Sequence, residues 1–167
     1  MFVAVALYLA FTSIIWWCYS GYAYYLVLYN LFRRFRPPVA PEVDPCPMAV
    51  IVPVLDERDE IAAKLENLLD LEYPLSLLDV IVADGGSTDG TRQIVESFRD
   101  EHPEIQIRFL ACSGRGRSLQ INEALPLSSA PIVVMTDADA LLARPCLLEI
   151  SRAFARSEQV AAVGAFV

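Results

Sequence analysis

Two carboxylates one residue apart, Asp137 and Asp139, follow directly on the apolar run Ile132-Val133-Val134-Met135. The β-branched residues drive that run into a sheet. The aspartates then fall at the strand's carboxyl end, where open α/β sheets place their ligands. Alternate residues of an extended chain point to one side, so the two carboxylates can converge on one hard cation. Such oxygen donors suit Mg²⁺ or Mn²⁺ carrying a diphosphate. A plain solvated turn would also use these residues, so their meaning depends on what accompanies them.

A second acidic strand end precedes them. Asp84-Gly85-Gly86-Ser87-Thr88-Asp89-Gly90-Thr91 follows an apolar run. Its glycines allow a tight turn close to a ligand, while Ser87, Thr88 or Asp89 can cap the next helix. Asp84 suits either a ligand contact or a turn that bonds its own backbone. The first apolar run ends in Pro53-Val54-Leu55-Asp56-Glu57-Arg58, with no Gly-x-Gly-x-x-Gly, which weighs against a nicotinamide or flavin site. Gly114-Arg115-Gly116-Arg117 lacks the third glycine of that fingerprint and is no Walker A loop. It is either a solvated loop or a basic one that holds phosphates beside a metal.

Elements able to position these residues alternate along the chain. Strands are expected at Met48–Val54 and at residues 78–83, 105–111 and 132–136. Helices are expected at residues 57–71 (with Ile61, Leu65, Leu68 and Leu69 at helical spacing), 88–101, 117–125 and 145–156. Continuous apolar strands alternating with helices predict an α/β fold, a mostly parallel sheet flanked by helices. Residues 160–167 read as the start of a further strand, so the expectation is an incomplete sheet, the first part of a larger domain.

Residues 2–32 contain no charged side chain, more than the roughly 20 residues that cross a bilayer. The amino end carries no Lys or Arg and the run exceeds a signal peptide's apolar core, so a retained transmembrane helix is expected. Arg33, Arg34 and Arg36 follow it. The positive-inside rule then places the amino terminus outside and the rest in the cytoplasm, as a single-pass protein of the inner or plasma membrane. The predicted organisation is an anchor with basic flank over residues 1–36, a stiff proline-rich linker over 37–47, and a domain over 48–167. Residues 37–167 carry ten basic and 21 acidic side chains, an unsuitable balance for nucleic acid. Cys18, Cys46, Cys112 and Cys146 have no metal-ligand spacing, and His102 is the sole histidine. The cysteines therefore read as packing residues and not as a zinc centre or disulfide set.

Four motifs in register, the strand to Pro53 with Asp56-Glu57, the loop from Asp84 to Thr91, Gly116-Arg117 with Asn122, and Asp137-Ala138-Asp139, resemble glycosyltransferase family 2 over about residues 48–167. The resemblance implies a GT-A (Rossmann-like) fold and inverting transfer from a nucleotide-diphosphate sugar to a glycan or lipid-linked acceptor. It implies donor contacts at Pro53, Glu57, Asp84, Arg117 and Asp137, and a divalent cation, Mg²⁺ or Mn²⁺, on Asp137 and Asp139. Two departures are Gly85, where the family often has a second aspartate, and Asp56, where it often has asparagine. The family's general base lies beyond the Asp-x-Asp strand, so it is expected beyond Val167, and residues 48–167 read as a donor-binding half. The alternatives are a non-catalytic, membrane-tethered nucleotide-binding module or truncated fragment and, more remotely, a nucleotidyltransferase.

Overall fold

The computed structural model describes residues 2–32, 43–157 and 159–164. The chain divides into two compact units, residues 1–39 and 40–167. Arg33, Arg34, Arg36 and most of the predicted linker lie outside the described residues.

The first unit is helical: α1 (Phe2–Trp16), a π-helical turn (Trp17–Gly21) and α2 (Tyr22–Phe32). From Phe2 to Tyr29 it is long and apolar enough to cross a membrane. The π turn was not legible as a break in an uncharged run. Its geometry rests on Gly21, where any Cβ would collide with the Trp17 ring.

In the second unit the order is β1 (Met48–Val54), α3 (Arg58–Leu69), β2 (Leu78–Asp84), α4 (Thr91–Glu101), β3 (Gln106–Ala111), α5 (Arg117–Ala124), β4 (Ile132–Met135) and α6 (Cys146–Ala155). The four strands form one parallel sheet in the order β3-β2-β1-β4. Met48, Val50, Val52 and Val54 of β1 join Ile61, Leu65 and Leu68 of α3, Val95 of α4, and Leu147 and Ile150 of α6 in the main core. Ile51 and Ile81 turn to the other face, with Ala124 of α5. Both faces are covered, which explains why β1 and β2 read as unbroken apolar runs. Cys46 and Cys146 pack on the main core and Cys112 on the smaller one.

The helix faces follow from chain direction. The first two crossovers step from β1 to β2 to β3, and the third returns past β1 to β4. With right-handed crossovers, that reversal moves α5 to the opposite face. The reversal lies between β1 and β4, so their carboxyl ends flank a topological switch point, where open sheets hold ligands.

The predicted strand at residues 160–167 does not form over the described residues 159–164. Ala161, Ala162 and Gly164 offer little cross-strand packing, and they line a cleft beside β4 instead.

Candidate functional site

Every strand of a parallel sheet presents its carboxyl end to the same edge, so the motifs after β1, β2 and β4 meet there. Pro53 helps to shape this edge. Thr136 N–H donates to the Ile51 carbonyl at 3.2 Å, so the backbone of Ile51 faces β4, and by strand alternation Pro53 does too. Pairing of β1 with β4 ends at Ile51 and Met135. The missing N–H of Pro53 therefore falls where β4 has already left the ladder, and costs no hydrogen bond.

The loops after β1 and β2 are stitched together. Thr88 N–H donates to Asp56 Oδ1 at 2.7 Å, Asp56 N–H to Ser87 Oγ at 2.8 Å, and Arg58 N–H to Asp89 Oδ2 at 2.8 Å. Asp56 takes φ 55°, a left-handed conformation that Asp and Asn tolerate best. That tolerance lets an aspartate hold this turn. Asp84 is 6% exposed, and its carboxylate accepts the Gly86 and Ser87 N–H groups and the Ser87 hydroxyl. It thus makes the bonds of a turn former. None of Ser87, Thr88 and Asp89 is the N-cap of α4: that position falls to Gly90, in a left-handed conformation, while Asp89 just before it accepts the Thr91 N–H at 2.9 Å, and the helix begins at Thr91 instead of 88.

Gln120 was not singled out by sequence. It is buried on α5 and donates through Nε2 to the Val54 and Ala83 carbonyls at 2.7 and 2.8 Å, pinning α5 to the ends of β1 and β2. A Cβ on Gly85 would meet this amide at 3.1 Å. Glycine at that position therefore belongs to the packing around Gln120.

The pair at the end of β4 is arranged by a turn, not by extended alternation as expected. Ala140 N–H donates to the Asp137 carbonyl at 3.3 Å, and residues 138–139 form a bend. Asp137 is half-buried and Asp139 exposed. From the start of α5, Arg117 Nη1 donates to Asp137 Oδ2 at 3.0 Å. Arg117 and Asp137 line a cleft of about 410 Å³ with Val133, Leu142, Ile150 and Phe154. Glu57 completes the acidic surroundings. Partial burial, then the charges of Glu60, Asp139, Asp89 and Asp137, hold its carboxyl above the usual range. The structure thus joins Arg117 with Asp137 and brings Glu57 into the field of both Asp-x-Asp carboxylates, whereas Asp84 is closed within its own loop.

Lys64 also escaped the sequence reading. It is fully buried on the core face of α3, and its Nζ donates to Thr136 Oγ1 at 2.8 Å and to the Ala140 carbonyl. A charged residue three positions after Ile61 and four before Leu68 was the available signal. Asn67, one turn on, exchanges two hydrogen bonds with the Leu142 backbone, at 2.9 and 2.7 Å. Helix α3 therefore holds the whole segment that follows β4.

The donor set fits a hard divalent ion that arrives with its own ligands. No group of three or more His, Cys, Asp or Glu able to hold a metal occurs among the described residues. Asp137 and Asp139 supply two carboxylates, and Mg²⁺-type sites take one or two from protein with phosphate oxygens and water completing the shell.

Residues 49–167 match the family model described as glycosyl transferase family 2. A β-monoglucosyldiacylglycerol synthase from a Nostoc species is 34% identical over 117 residues, 70% of this chain and 25% of the relative. Among solved structures, the mannosyltransferase PcManGT from Pyrobaculum calidifontis, in complex with GDP-Man and Mn²⁺, superposes with TM-score 0.68 at 34% identity, covering 78% of this chain and 39% of that one. TarS 1–349 of S. aureus, in complex with UDP, gives 0.60 at 25% identity, covering 66% and 32%. The chain spans about a quarter of the length of the first curated relatives it matches. With four parallel strands, flanking helices and these neighbours, the domain has the GT-A fold, and the chain belongs to glycosyltransferase family 2.

Proposed function

We propose that this chain is the donor-binding half, residues 48–167, of an inverting, membrane-anchored glycosyltransferase that takes a nucleotide-diphosphate sugar. The observation that carries the reading is the contact of Arg117 with Asp137 at the switch-point edge of the sheet, which sets a guanidinium suited to phosphate beside a carboxylate suited to a cation. Complexes of the neighbours with GDP-Man and Mn²⁺ and with UDP support the same class of ligand.

In this reading Asp137 and Asp139 hold Mg²⁺ or Mn²⁺, which when bound supplies Lewis-acid neutralisation of the leaving diphosphate. Arg117 leaves Asp137 for a phosphate oxygen and stabilises charge as the diphosphate departs. Glu57, on the stitched loops, faces the nucleoside. Asp84 and Pro53 shape that pocket, Asp84 by closing its turn and Pro53 by letting β4 diverge. No residue among 48–167 is assigned as the general base that deprotonates the acceptor hydroxyl. The helix at Phe2–Tyr29 anchors the domain on the cytoplasmic face, where a glycan or lipid-linked acceptor is within reach.

The test is titration of the full chain in detergent with UDP and with GDP, each with and without Mn²⁺. One nucleotide should bind, at least tenfold more tightly with Mn²⁺, and Asp139→Ala should remove that gain. Absence of Mn²⁺-dependent binding of either nucleotide would overturn the reading.

A further inference from the structure

An ammonium on the apolar stripe of a helix is unfavourable unless something requires it, because a buried charge must be paired and hydrogen-bonded. On α3 the buried positions are Ile61, Lys64, Leu65 and Leu68, and an apolar side chain would fill the second of them. Lys64 instead reaches under the sheet edge. Its two acceptors, Thr136 Oγ1 and the Ala140 carbonyl, stand immediately before and after Asp137-Ala138-Asp139. Thr136 is itself buried, at 6% exposure, and its N–H is committed to Ile51. One side chain therefore grips both ends of the turn from below. The carboxylates of Asp137 and Asp139, with the Cys146 thiol, act on this ammonium electrostatically.

Resting on the proposed donor site, we propose that Lys64 is a positioning residue for the cation: it clamps the segment from Thr136 to Ala140 so that Asp137 and Asp139 are preset before a cation arrives. A turn closed by one backbone bond, Ala140 N–H to the Asp137 carbonyl, is free to relax. A buried lysine opposes that relaxation without occupying the ligand face.

Lys64→Met keeps the length and apolar stem and removes the charge and both bonds. Thr136→Val removes one acceptor while preserving shape, and serves if the first variant fails to fold. The full chain in detergent is titrated with UDP and GDP, with and without Mn²⁺, and its folding is followed by thermal melting. We expect Lys64→Met to lose at least tenfold of the Mn²⁺-dependent gain in affinity, with metal-free nucleotide binding unchanged. Thr136→Val should lose about threefold, and the double variant no more than Lys64→Met, since residues sharing one interaction are not additive. Equal weakening with and without Mn²⁺, or unchanged Mn²⁺ dependence in folded variants, assigns Lys64 a purely structural role and overturns the proposal. A wild-type chain without Mn²⁺-dependent binding instead brings down the donor-site reading on which it rests.

Discussion

At the scale of single residues, the site is poised because its central contact is cheap to break. Arg117 and Asp137 are about half exposed, and an ion pair so placed contributes roughly 0–1 kcal/mol. A diphosphate offers Arg117 more charge and more acceptors than one carboxylate does, and a divalent ion offers Asp137 a stronger partner than a guanidinium. Exchange of partners on the proposed donor binding therefore costs little. Arg117→Met separates the two halves of that exchange. Its folding stability should stay within about 1 kcal/mol of wild type. Mn²⁺ alone should bind more tightly, because Asp137 loses a competitor, while Mn²⁺ with UDP or GDP should bind about tenfold more weakly, because the phosphate loses its arginine. Calorimetric titration reads both, and a fall in both would mean that the arginine merely holds the turn. Glu57 adds to the same logic: partial burial first, then the charge of Glu60 and, after it, of Asp139, Asp89 and Asp137, raises its carboxyl, and the acidic part of that field favours a cation.

At the scale of elements, α3 decides how the site is held. Loss of hydration, partly opposed by Cys146, Asp137 and Asp139, pulls Lys64 down from 10.5 to about 8. Folding therefore carries the full cost of burying the ammonium below pH 8. Between the two values the unfolded chain keeps a proton that the folded one has released, so stability rises with pH across that window. The gain approaches about 3 kcal/mol, at roughly 1.4 kcal/mol for each tenfold change in proton affinity. Chemical denaturation of wild type and Lys64→Met from pH 7.5 to 10.5 should show the wild type gaining on the variant throughout, since all other titrating groups are common to both. A constant difference would mean that Lys64 is solvated. This element also marks the limit of what was legible. Periodicity gave α3 its position and its apolar face through Ile61, Leu65 and Leu68, and the β-branched runs gave all four strands. What periodicity cannot carry is a polar atom serving a distant backbone. Lys64 reaches residues 72 and 76 positions away, and Gln120 reaches one 66 positions away. The Asp-x-Asp pair stands out by type and spacing, but the turn that arranges it is held by the long-range bonds of Lys64. Strand extension alone does not produce that turn.

At the scale of the whole molecule, the proposed membrane anchorage of an acidic domain can be put to the test. Residues 37–167 carry ten basic and 21 acidic side chains, so anionic lipid repels the domain except near Arg33, Arg34 and Arg36. Two attachments are conceivable, and salt separates them. Three arginines on anionic lipid are worth about 1 kcal/mol each, and that attraction vanishes at about 1 M salt, where the screening length falls to roughly 3 Å. The apolar helix is another matter. Its 28 residues from Phe2 to Tyr29, at about 1.5 Å per residue, extend beyond the roughly 30 Å hydrocarbon core, and burial of apolar surface is not screened by ions. The chain should therefore remain with membranes in about 1 M salt and in alkaline carbonate, and leave only with detergent. Replacing all three arginines by serine should not release it, but should mix the orientation of the domain, read by protease accessibility in sealed vesicles. Recovery of the domain in the soluble fraction, shortened at its amino end, would identify the helix as a cleaved leader and remove the membrane from the acceptor side of the reaction.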